Sequence, residues 1–170
     1  MQTSSVKLYS LEYRQAKTYW IAALFMLGNL LLPQLCHLVP QGGMRWLPIY
    51  LFTLIGAYKY GWRVGLLTAV ASPLLNSALF GMPAAAVLPA ILLKSVLLAA
   101  AAGYAAARSG KAPLWLLAAV VLTYQVVGTL GEWAMSGSLA AATQDFRIGI
   151  PGMLLQIFGG WFCINRLLRR

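Results

Sequence analysis

Acidic residues are nearly absent from this chain of 170 residues, since Glu12, Glu132 and Asp145 are the only three. Histidine also occurs once, as His37. Enzymes that use acid–base, nucleophilic or metal chemistry need several such groups close together. The shortage argues against a multi-histidine metal site, and against an intramembrane protease, whose spans would hold a Ser/His or Asp pair. We therefore expect no enzymatic activity, no metal and no cofactor.

The motifs of nucleotide-binding and hydrolytic enzymes are missing as well. The sequence contains no GxxxxGK[ST] loop, no HExxH and no GxSxG. A P-loop needs its glycines and lysine to hold the phosphates of ATP. Any ATP hydrolysis that drives this protein is therefore expected in partner subunits.

Charged residues of both signs are scarce, at 9% of the chain, whereas 61% is hydrophobic and the mean hydropathy is +0.74. Soluble domains carry about 25% charged and about 45–50% apolar residues. So few polar groups cannot cover a water-facing surface, which predicts a membrane protein.

The net charge of +10 could suggest nucleic-acid binding. However, the basic residues lie in short clusters between apolar runs, as in membrane-protein loops, so we expect a lipid bilayer and no nucleic acid as partner.

Apolar runs predict an all-α fold, a single bundle of about six transmembrane helices within one domain, residues 1–170. The expected spans are about 19–36, 46–60, 64–80, 84–107, 113–133 and 148–168. The first run is too long for a signal-peptide core and lacks a cleavage site. The second is short for a hydrocarbon core of about 30 Å, so it either tilts or lies shielded by its neighbours.

The basic residues predict the orientation. With both termini in the cytoplasm, most lie inside, only Arg45 and Arg147 lie outside, and Lys94 lies within a span. The inside set is Lys7, Arg14, Lys17, Lys59, Arg63, Arg108, Lys111, Arg166, Arg169 and Arg170. The positive-inside rule favours this arrangement and predicts a multi-pass protein of the inner (plasma) membrane.

Lys94 is the most unusual residue, because it lies near the middle of the fourth span. A lysine there costs about 2.5–3.5 kcal/mol and usually faces a cavity or a partner. The alternative is a side chain that snorkels to the headgroups. Glu132, at the outer end of the fifth span, is a possible partner, although it could equally be an interfacial carboxylate beside Trp133.

Several further polar groups share the predicted outer half and suggest a pocket open to the exterior. The candidate substrate-binding residues are Lys94, Asn76, His37, Arg45, Gln125, Glu132, Trp133 and Arg147. Lys94, Arg45 and Arg147 together would favour a carboxylate or another anionic group. Each polar residue could instead serve helix packing.

Small residues cover the inner half of the fourth span, in residues 98–107 (LAAAAGYAAA). Small side chains allow another helix to approach closely. This surface could serve internal packing, or it could be the docking surface for another membrane protein.

Four segments resemble the substrate-binding S components of energy-coupling factor (ECF) transporters: residues 32–43 (LPQLCHLVPQGG), 46–50 (WLPIY), 60–69 (YGWRVGLLTA) and 72–83 (SPLLNSALFGMP). The resemblance implies a six-helix protein that captures a vitamin or related micronutrient at its outer face. It also implies partners, a transmembrane coupling protein and paired ATPases, that topple the S component and deliver the substrate inward.

One departure from the family concerns docking. Many S components carry Ala-x-x-x-Ala on the first helix, for contact with the coupling protein, whereas residues 22–29 read AALFMLGN.

An alternative function is a self-contained secondary transporter or channel, with Lys94 and Glu132 as an ion or proton relay.

Overall fold

The computed structural model describes residues 7–168, which are predominantly helical and contain no β-strand. Arg169 and Arg170, used in the predicted charge distribution, lie outside the described residues. The helices are α1 (Ala16–Cys36), α2 (Gly42–Trp46), α3 (Leu51–Tyr60), α4 (Trp62–Phe80), α5 (Leu88–Ser109), α6 (Leu114–Ser136), α7 (Leu139–Ala142) and α8 (Gln144–Ile148). A last helix begins at Ile150 and is described below. The predicted all-α class is confirmed for these residues.

Four helices, α1, α4, α5 and α6, are long and apolar enough to cross a membrane. Many of their large side chains face outward: Trp20 on α1 is 78% exposed and Trp115 on α6 is 70% exposed. Such surfaces are unfavourable in water and suit a lipid environment. The four helices match the predicted first, third, fourth and fifth spans.

The predicted second span is divided between a 3₁₀ turn, Pro48–Tyr50, and the ten-residue α3. Most side chains of α3 are buried, in agreement with a short helix shielded by its neighbours. Its carboxyl end meets the amino-terminal segment, because Tyr9 and Leu11 donate backbone hydrogen bonds to the carbonyls of Lys59 and Tyr60, at 2.9 and 3.1 Å. At ten residues α3 covers only about 15 Å by itself.

The last segment is one continuous helix with two π-type stretches. It runs through Ile150–Leu154, the π turn Leu155–Gly159, Gly160–Phe162 and the π turn Cys163–Leu167. We call these four stretches the C-terminal helix. Asn165 donates to the carbonyl of Ala112 at 3.0 Å, in the loop between α5 and α6. The Tyr58 hydroxyl of α3 donates to the neighbouring Lys111 carbonyl at 2.7 Å, so both helices end at this loop.

Small residues allow α3, α4 and α5 to pack closely. A Cβ on Gly65 would lie 2.3 Å from the Cβ of Ala57, and one on Gly103 would lie 2.4 Å from the Cβ of Trp62. Most of residues 98–107 is buried by such contacts, which supports internal packing for this surface. Ala100, Tyr104 and Ala107 remain exposed.

Candidate functional site: a cavity with a buried ion-paired lysine

A cavity of about 520 Å³ lies where α1, α4 and α6 end and α5 begins. This size suits a small molecule, and the lining is mostly apolar with a few polar groups, as in ligand pockets generally. The polar side chains of the lining belong to His37, Gln41, Tyr50, Asn76, Lys94, Glu132, Gln144 and Asp145.

Short segments between the long helices build the wall of this cavity. The segment 41–47 contributes Gln41, Met44 and Leu47, and both Gln41 and Leu47 adopt positive φ angles, 57° and 45°. A left-handed conformation is unusual for residues other than glycine and often occurs near ligand sites. Gly152 of the C-terminal helix packs on this segment, since a Cβ there would lie 2.5 Å from the Trp46 carbonyl.

Lys94 of α5 lines the cavity and is only 3% exposed. Its Nζ lies 2.6 Å from Oε2 of Glu132 on α6 and 2.8 Å from Oδ2 of Asp145 on α8. Gly128 allows this approach, because a Cβ at that position would lie 2.5 Å from Cγ of Lys94. The pairing of Lys94 with Glu132, left open by the sequence, is therefore present, and Lys94 does not snorkel.

Asp145 is the charged residue that sequence reasoning missed. It lies 51 positions from Lys94, in a loop segment that folds as the short helix α8. The available signal was its rarity, because it is the single aspartate of the chain. Within residues 7–168, no group of three His, Cys, Asp or Glu residues is placed to hold a metal ion.

Asn76 on α4 lines the cavity and also completes a buried polar network. Pro33 has no backbone N–H, so the carbonyl of Asn29, one turn earlier on α1, has no helical partner. Asn76 Nδ2 donates to this carbonyl at 2.8 Å. The Asn29 amide in turn donates to Thr53 at 3.1 Å and Ser72 at 3.2 Å, which links α1, α3 and α4. Oδ1 of Asn76 is buried and has no hydrogen-bond partner.

Gln125 on α6 is fully buried but does not line the cavity. Its Nε2 donates to the Tyr124 hydroxyl at 3.1 Å, and that hydroxyl donates to Gln156 at 2.7 Å. The ring of Tyr124 packs against that of the cavity-lining Tyr50, with centroids 5.3 Å apart. Gln125 thus supports the wall of the cavity through the two tyrosines.

The remaining predicted residues divide between lining and surface. His37 lines the cavity. Arg45, Trp133 and Arg147 are exposed and do not line it. The structure therefore brings together Lys94, Asn76, His37 and Glu132, but leaves the two predicted outer arginines outside.

Comparisons with known proteins found no match to this chain among protein families, characterised proteins or solved structures.

Proposed function

We propose that this protein is the substrate-binding S component of an ECF-type importer, which captures a vitamin-like micronutrient at its outer face. One observation carries the proposal. Three of the four segments that resemble S components converge on the cavity: residues 32–43 supply His37, residues 46–50 supply Tyr50, and residues 72–83 supply Asn76. If the segments that resemble S components did not form a common site, we would expect them to be scattered over the bundle.

The proposal includes six membrane crossings, with both termini in the cytoplasm. Four helices have the length and composition to cross. Two further observations support the other two crossings. Both α3 and the C-terminal helix begin next to residues 46–50, where Gly152 meets Trp46. Both end at the loop that contains Lys111 and Ala112. In this orientation the cavity lies at the exterior end.

The packing on the inner side of the cavity favours delivery of the substrate by movement of the whole protein. It disfavours delivery through a pore. Tyr124 is fully buried there, and so are Leu98 and Leu117. A substrate held above such a packed interior needs the bundle itself to reorient. Partner ATPases would supply the energy for this movement, through the coupling protein.

Reconstitution tests the assignment. The tagged chain is expressed with a coupling protein and an ATPase pair from its own source, purified in mild detergent and placed in liposomes. We expect a stoichiometric complex and solute uptake that requires ATP. The matched control is the same complex with the P-loop lysines of the ATPases replaced, which should assemble but not transport.

A different result would reject the proposal. If the chain purifies alone and moves solute across liposomes without ATP, it is a secondary transporter or channel. The Lys94–Glu132 pair would then be the first candidate for the ion relay.

A further inference from the structure

We infer that the cavity binds a small organic cation with an apolar body, and not the anionic group that the sequence suggested. This inference rests on the proposed function, because it takes the cavity as the substrate site. The observations that support it are the charge of the lining, the unused hydrogen-bond acceptors and the apolar wall.

The charged groups of the lining are unbalanced. Lys94, Glu132 and Asp145 are the charged side chains among the described residues that line the cavity, which leaves a formal charge of −1. Arg45 and Arg147, which would have reversed the sign, are exposed and lie outside the lining. Both carboxylates share the single cation Lys94, and a net charge in a partly buried, low-dielectric site is unfavourable, so a bound cation would gain by compensating it.

Three of the unused polar atoms of the cavity are acceptors, and two of them belong to carboxylates. Lys94 engages only one oxygen of each carboxylate, and no described residue donates to Oε1 of Glu132 or Oδ1 of Asp145. Asn76, which is 1% exposed, adds a third acceptor, since its buried Oδ1 has no partner. Acceptors from three helices thus require donors from the ligand, and ammonium or amidinium groups consist only of donors.

Lys94 itself is poorly available to an anion. It is 3% exposed and already bonded to two carboxylates. A carboxylate ligand could use only the third N–H of Lys94, and it would change the formal charge of the site from −1 to −2 beside Glu132 and Asp145. A cation leaves both contacts intact and brings that charge to zero.

The rest of the wall suits an apolar body. Tyr50, which is 3% exposed, lines the cavity together with Met44, Ile49 and Ile91. An aromatic ring also attracts a neighbouring cation through its quadrupole.

Binding of matched probes to the purified full-length chain tests the inference. Benzamidine, benzamide and benzoate share one ring and differ in charge, and ligand-observed NMR titration measures their affinities in detergent. We expect benzamidine to bind at least about tenfold more tightly than benzamide, which corresponds to about 1.4 kcal/mol. Benzoate should bind most weakly, and added salt should reduce the preference for the cation.

Substitutions identify the groups responsible. Glu132→Gln and Asp145→Asn should each weaken benzamidine about tenfold, since each removes a charge-assisted acceptor. Lys94→Met should increase the preference for benzamidine over benzoate, because it changes the formal charge of the lining from −1 to −2. Arg147→Gln is the matched control, an exposed charged residue two positions from Asp145, and should change nothing. If Lys94→Met does not fold, the two carboxylate variants still decide the question.

Three outcomes would overturn the inference: benzoate binds most tightly, the three probes bind equally, or benzamidine does not bind at all. None of these results depends on ATPases or a coupling protein, because the assay uses the chain alone. Failure of the cation preference is therefore separable from failure of the reconstituted complex, which rejects the proposed function.

Discussion

Lys94 shows how a single polar side chain in an apolar helix organises its neighbours. Its Nζ holds Glu132 and Asp145 from two other helices at 2.6 and 2.8 Å. A buried pair of this kind contributes little net stability, but removal of one member leaves a charge without a partner. Lys94 therefore matters most for the position of α8 relative to α5 and α6, and through it for the shape of the cavity.

Gly128 provides a test of this arrangement at the scale of one residue. An alanine there would place its Cβ 2.5 Å from Cγ of Lys94. We expect Gly128→Ala to shift Lys94, weaken ligand binding and cost about 1–3 kcal/mol through overpacking. Thermal unfolding in detergent and ligand titration measure the two effects.

The control is Gly131→Ala, one turn further along the same helix. Its Cβ would meet only the side chain of Leu93, with Cδ2 at 2.4 Å, and the end of a leucine side chain can move aside. This variant should keep the affinity and stability of the native chain. Equal losses in both variants would show that Gly128 serves general packing of α5 against α6.

At the scale of elements, α1 and α4 are joined where a proline interrupts the hydrogen bonds of a helix. Pro33 leaves the Asn29 carbonyl free, and Asn76 occupies it at 2.8 Å. Broken helices in membranes are tolerated when a neighbour satisfies the freed group in this way. Asn76 therefore has two roles, since it also lines the cavity.

A double-mutant cycle tests the first of these roles, in which Asn76 compensates for the proline. Asn76→Ala should destabilise the native chain by about 1–3 kcal/mol, because the Asn29 carbonyl loses its donor. In a Pro33→Ala background, the alanine N–H can bond to that carbonyl, so Asn76→Ala should cost about 1 kcal/mol less. Thermal unfolding of the four variants measures this coupling. Additive effects would mean that Asn76 does not compensate for the proline.

At the scale of the whole molecule, the distribution of lysine and arginine predicts the orientation in the membrane. The loop with Arg108 and Lys111 is predicted inside, and the loop after α6, which includes Ser138, is predicted outside. Both positions 111 and 138 are exposed, so each is accessible to a reagent in water.

Cysteine labelling tests this orientation. Cys36 and Cys163 are replaced by alanine, and single cysteines are introduced as Ser138→Cys or Lys111→Cys. A membrane-impermeant maleimide should label position 138 in intact cells, and position 111 only after the membrane is permeabilised. The reverse pattern would place the cavity at the cytoplasmic end.

Local properties of the chain were accessible from the sequence. The helical class and the four long apolar helices were predicted from runs of apolar residues, because a helix in lipid must satisfy its own backbone hydrogen bonds. Lys94 also stood out, since a mid-span lysine needs a partner. These inferences require only the residue types and their positions along the apolar runs.

Only the tertiary structure decided what surrounds Lys94. Asp145 reaches it across 51 residues because the segment after α6 folds as short helices over the cavity, and no periodic pattern marks such a segment. The same packing leaves Arg45 and Arg147 at the surface, so the cavity carries excess negative charge instead of the positive charge that the sequence suggested. The sign of a site depends on which side chains converge in space, and that depends on long-range packing.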